Sequence, residues 1–98
     1  MAKFLVSWEV DATKVPADHK ERAALWGSMV QGIRKQMAAG MTKDWGVFAG
    51  GLQGFSVHEG DEMTVSKMVQ NYMPYVTFSV HPILSIEQME ELLETLKK

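Results

Sequence analysis

The side chains in this 98-residue sequence that could do chemistry are histidines, with carboxylates and hydroxyls on strand-like runs near them. His58 and His81 each lie at the end of an alternating run, and Ser7 and Glu9 lie in a third. Alternation sends successive side chains to opposite faces of a strand. Ser7 therefore shares a face with Glu9, Ser56 with His58, and Tyr75 with Thr77, Ser79 and His81. If the first run lies between the other two, His58 and His81 flank Glu9 and Ser7. A His–Glu–His group has donors that can hold a metal or share a proton near neutral pH. The plainer reading is polar residues at strand ends or at a dimer seam, and it is preferred; no metal and no cofactor is assigned. His58 and His81 are the candidate acid/base groups. Ser7, Glu9, His58, Tyr75, Thr77, Ser79 and His81 are the candidate lining of a ligand site.

Other groups carry less. Trp8 and Trp26 fall on inward rows and read as core, whereas Trp45 follows the charged Lys43-Asp44 pair and reads as the rim of a cavity or interface. The run Gly50-Gly51-Leu52-Gln53-Gly54 has neither the Lys-Ser/Thr ending nor the following helix of a phosphate loop, and reads as a hairpin turn. Gly54-Phe55-Ser56-Val57 is faintly like the central strand of an RNA-recognition motif, but Phe55 is expected to face the helices, the basic residue before the glycine is missing and the net charge is −2, so that reading is rejected. Tyr72 sits on a helix stripe and reads as core.

Composition narrows the classes. Without clustered Lys and Arg, no nucleic-acid partner is expected. The chain has no cysteine, so it has no disulfide, thiolate metal site or thiol nucleophile. No apolar run approaches the ~20 residues of a membrane span. Met1-Ala2-Lys3 leads straight into a strand pattern without the apolar stretch of a leader, and a cytoplasmic location is expected. The length suits one domain over residues 1–98.

The elements that must position these groups follow from periodicity and caps. Residues 3–10 alternate, with Phe4, Val6, Trp8 and Val10 on the apolar face. Asp18, with Glu21 three residues on, opens a helix whose stripe is Trp26, Met29, Val30, Ile33 and Met37; Gly40 ends it. Residues 45–49 and 54–59 form a hairpin, with Phe55 and Val57 expected to face the helices. Asp61 opens a second helix with Val65, Met68, Val69 and Tyr72 inward, stopped by Pro74. Residues 75–81 form a fourth strand, with Val76, Phe78 and Val80 inward, ended by Pro82. Ser85 and Gln88 form a capping box for a last helix with the stripe Met89, Leu92, Leu93 and Leu96. The order β-α-β-β-α-β is the ferredoxin-like α+β plan: a four-stranded antiparallel sheet, helices on one face, and an added C-terminal helix. The opposite, open sheet face is mixed in polarity, and a second copy is the expected cover.

The strings Phe4-Leu5-Val6-Ser7-Trp8-Glu9-Val10, Lys43-Asp44-Trp45-Gly46, the Gly50-Gly51 turn and Tyr75-Val76-Thr77-Phe78-Ser79-Val80-His81-Pro82 resemble a family of short prokaryotic proteins described as a domain of unknown function. That family is similar to the dimeric α+β-barrel superfamily of muconolactone isomerase-like proteins and small cofactor-independent monooxygenases. The resemblance spans nearly the whole chain and implies the same fold and a homodimer. It carries over no catalytic residue. Three functions follow as expectations. The first is a small organic ligand held in a cavity on the open sheet face. The second is a cofactor-independent isomerase or monooxygenase with His58 or His81 as acid/base. The third is a regulatory or structural module of the ACT type.

Overall fold

The computed structural model describes residues 2–98; Met1, the first residue of the expected N-terminal run, lies outside the described residues. The elements in order are β1 (Ala2–Val10), a 3-10 turn (Ala12–Lys14), α1 (His19–Ala38), β2 (Thr42–Val47), β3 (Gln53–Gly60), α2 (Glu62–Gln70), β4 (Val76–Ile83) and α3 (Ile86–Leu96). The strands form one sheet in the order β2-β3-β1-β4, with every neighbouring pair antiparallel. This is the α+β, β-α-β-β-α-β arrangement that the periodicities predict.

The caps act where the side chains allow. The Asp18 carboxylate accepts the Glu21 N–H at 3.0 Å, and Asp61 accepts the Thr64 N–H at 2.8 Å. Ser85 and Gln88 exchange both bonds of a capping box. Gly40, at φ 82°, turns the chain out of α1. Its N–H donates to the Met37 carbonyl and the Met41 N–H donates to that of Gln36, so two carbonyls at the helix end are satisfied.

Phe4 and Val6 of β1 pack with Val65, Met68 and Val69 of α2. Trp8, Val10 and Val76 pack against Trp26 and Met29 of α1. Both helices thus lie on one face of the sheet. β4 runs further than Pro82 was expected to allow, to Ile83. Its ladder with β1 continues through the Phe4–Pro82 pair, so the N–H that proline lacks is one that would have pointed to the outer edge.

One face assignment is corrected. Phe4, Val6 and Trp8 stand opposite His58, Ser56 and Gly54, and residues directly opposite share a face. Gly54, Ser56 and His58 are therefore on the helix face and buried, whereas Phe55 and Val57 are on the open face. Apolar side chains were expected inward on β3. Instead the indoles of Trp8 and Trp45, on the flanking strands, fill that volume and leave β3 only small or hydrogen-bonded side chains beneath them.

α3 stands away from the rest. None of its residues is buried, and the molecule measures 61 × 25 × 20 Å.

Candidate functional site

The site is built upward from Gly54. With no side chain at that position, the Trp8 indole lies directly over the β3 backbone. Trp45, from β2, stacks on Trp8 with ring centroids 5.5 Å apart and planes 13° apart. Trp26 and Met29 of α1, with Tyr72 and Phe78, close an aromatic slot between α1 and the sheet. Counted with its open mouth the slot encloses about 460 Å³, of which about 40 Å³ is wide enough for the centre of a water molecule. At ~10–15 Å³ per water centre that is room for a few waters. The slot is thin, and a flat guest of about one ring suits it.

Its floor is polar. Thr42, Ser56 and His58 are each 4% exposed or less. Ser56 Oγ lies 2.7 Å from His58 Nε2, and Thr42 Oγ1 lies 3.1 Å from His58 Nδ1. The Thr42 hydroxyl donates to Gln36 Oε1 at 3.2 Å, and Gln36 Nε2 donates to the Tyr72 hydroxyl oxygen at 3.1 Å. This chain has one direction. Thr42 has spent its only proton on Gln36, so it must accept from His58 Nδ1–H. The neutral ring then presents Nε2 as an acceptor, and the Ser56 hydroxyl donates to it. Burial favours the uncharged imidazole and holds the His58 pKa below its ordinary 6.5. Burial likewise raises the Tyr72 phenol, partly opposed by its bond from Gln36. At pH 7 the floor thus holds a neutral histidine in one tautomer, hydrogen-bonded to a serine. The Trp8 indole Nε1 is buried and has no hydrogen-bond partner among the described residues.

Replacing Tyr72 by phenylalanine removes the acceptor of the Gln36 amide. The expected cost is about 1 kcal/mol, read as a lower urea midpoint at unchanged slope.

The two candidate histidines lie on opposite faces. His81 stands opposite Leu5 on the open face and is exposed, while His58 is under the helices. The His–Glu–His set is therefore not assembled, and among the described residues no three His, Cys, Asp or Glu side chains are grouped to hold a metal. Ser7, Glu9, Thr77 and Ser79 do come together, lining an open-face groove with Phe48 and Gln53. Tyr75 is exposed just before β4, outside that groove. The residues that sequence reasoning missed are Gln36, Thr42 and the role of Tyr72. Gln36 had a signal: it falls three residues after Ile33, a polar side chain on the apolar stripe of α1. Thr42 had none, because its place depends on the bulge in β2 between Thr42 and Asp44.

A family model described as a domain of unknown function, DUF3303, matches residues 2–97. No curated protein matches the chain significantly.

Proposed function

We propose that this chain, which belongs to the DUF3303 family, binds a small, flat, mainly apolar molecule carrying a hydrogen-bond acceptor in the slot between α1 and the sheet. The observation that supports this most is the unpartnered Trp8 Nε1–H in an aromatic slot floored by Ser56 and His58. A buried N–H without a partner costs about 1–3 kcal/mol, and an acceptor on a guest would recover it. Apolar walls with a few placed polar groups are the usual make-up of a small-molecule site. This moves the ligand from the open sheet face, where it was expected, to the helix face.

Titration with phenol, a single-ring guest matched to the slot, followed by tryptophan fluorescence, tests the reading. Saturable quenching is expected in the wild type, with at least tenfold weaker binding in Ser56→Ala and Trp45→Ala. No saturable change up to millimolar phenol, or binding in both variants equal to that of the wild type, would overturn it.

A catalytic reading of the same slot is favoured by the fixed tautomer. His58 Nε2 is an unprotonated base whose other nitrogen is anchored by Thr42 and Gln36, so through Ser56 it could take a proton from a bound substrate, as a cofactor-independent isomerase or monooxygenase requires. The chain also acts, in this reading, as a homodimer, with a second copy covering the open face and its Ser7–Glu9–Thr77–Ser79 groove. A cytoplasmic location accords with the absence of cysteine.

A further inference from the structure

α3 is strongly two-sided. Ile86, Met89, Leu92, Leu93 and Leu96 form one stripe, and Glu87, Glu90, Glu91 and Glu94 form the other. The apolar stripe is bare: Ile86 is 69% and Leu96 72% exposed, and Leu84, just before the helix, is 58% exposed. Together these side chains leave on the order of 500 Å² of apolar surface uncovered, at the upper end of what a monomer usually shows. The radius of gyration, 16.1 Å, reflects this arm; a compact chain of this length has roughly 13 Å.

A second uncovered apolar area is the centre of the open sheet face. Across the strands, Leu5 stands beside Val57 and Ser7 beside Phe55. Phe48 stacks on Phe55 with centroids 6.5 Å apart. We infer that α3 of one copy lies across the open sheet face of a second copy, its leucines on Leu5, Phe48, Phe55 and Val57, and that the second copy returns its own α3 in the same way. The inference rests on the homodimer reading above and names the element that makes the dimer.

Three quantities support a second copy as the occupant. An 11-residue helix is about 16 Å long, and four strands span about 14–19 Å, so one α3 crosses one sheet. Two arms and the two faces beneath them would bury on the order of 2,000 Å², which is in the range of stable dimers. Reciprocal exchange about a twofold axis leaves no arm or face unused and closes the assembly. A lipid surface fits worse. The polar side of α3 carries four glutamates and its only lysines are Lys97 and Lys98, just past its last turn, whereas interfacial helices carry basic residues along the polar face.

The absence of cysteine makes the test direct. The full chain is examined by light scattering, together with the double variant Leu92→Glu/Leu93→Glu. Leu5→Cys protein is separately mixed with Leu92→Cys protein under mild oxidation, with Glu91→Cys as the polar-face control. The expected result is a dimeric wild type, at least tenfold weaker self-association in the double variant with unchanged far-UV circular dichroism, and a Leu5–Leu92 cross-link several times more abundant than Leu5–Glu91. A monomeric wild type at 100 μM overturns the homodimer reading and this inference with it. A dimer that the double variant leaves intact, without the Leu5–Leu92 cross-link, keeps the homodimer and overturns the role of α3. A double variant that lost helix content would leave the cross-link yields to decide. Neither result bears on phenol binding in the slot on the opposite sheet face.

Discussion

Gly54→Ala is expected to cost about 3 kcal/mol or more, a large share of the ~5–15 kcal/mol that holds a domain of this size together. The added methyl would meet the Trp8 indole on one side and the Gly46 carbonyl oxygen on the other. Neither can give way cheaply. The indole is held against Trp45, and the carbonyl belongs to the paired backbone of β2. Inserting a methyl into a packed interior costs about 1–3 kcal/mol, occasionally more, through the side-chain and backbone shifts it forces, and here both neighbours are held in place. The measurement is the urea midpoint together with the near-UV circular dichroism of the stacked tryptophans. Gly27→Ala is the control: a Cβ there meets nothing within 4 Å, and its φ is ordinary. In the interior of α1 it should stabilise by about 0.5–1 kcal/mol. Similar midpoints for the two variants would refute the close approach of Trp8 to β3.

His58 carries the second large effect. His58→Ala removes a buried ring and leaves the Ser56 and Thr42 hydroxyls without their partner, at an expected cost of about 3 kcal/mol. The wild type carries a pH signature of the same group. Its folded pKa lies below 6.5, so the unfolded chain takes up the proton first as the pH falls. The stabilisation is fully present above pH 6.5 and is lost as the pH drops through 6.5 towards the lower folded value, with a slope of at most about 1.4 kcal/mol per pH unit. Two carboxyls act in a lower range. Asp11 is held below its ordinary 3.8 by the Thr13 hydroxyl and N–H, and Asp61 by the Thr64 N–H and hydroxyl. His58→Gln should flatten the slope of unfolding free energy just below pH 6.5 and leave the acid limb near pH 4 in place. An unaltered slope in that variant would show that the imidazole is not held neutral by burial.

The regular parts of the fold were legible because their signals are local. Asp18, Asp61 and Ser85 cap the helices that they were expected to cap, and the inward rows of β1 and β4 follow simple alternation. β3 was not legible, because its inward row is chosen by its neighbours. Ser56 and His58 look like solvent-facing residues until Trp8, Trp45, Thr42 and Gln36 are around them, and those positions are up to 50 residues away in sequence. The same inversion explains the candidate site. Ser7, Glu9, Thr77 and Ser79 were placed on one face by alternation and do share it, while His58 left their company when β3 turned over. α3 was readable as a helix from its capping box, but a stripe of leucines does not say which chain it is to meet.

The proline in β4 has a consequence for how copies of this chain can meet. A sheet grows sideways when a free outer edge offers an unbroken row of N–H and C=O groups to another strand. β4 ends one side of the sheet, and Pro82 removes a donor from that row. β2 ends the other side, and the irregularity between Thr42 and Asp44 breaks its pleat. Neither border is a good template for open-ended strand addition. Strand addition at either border is thereby disfavoured, and the homodimer proposed above would use the broad surfaces of the sheet instead, where a closed pair leaves no edge on which to grow.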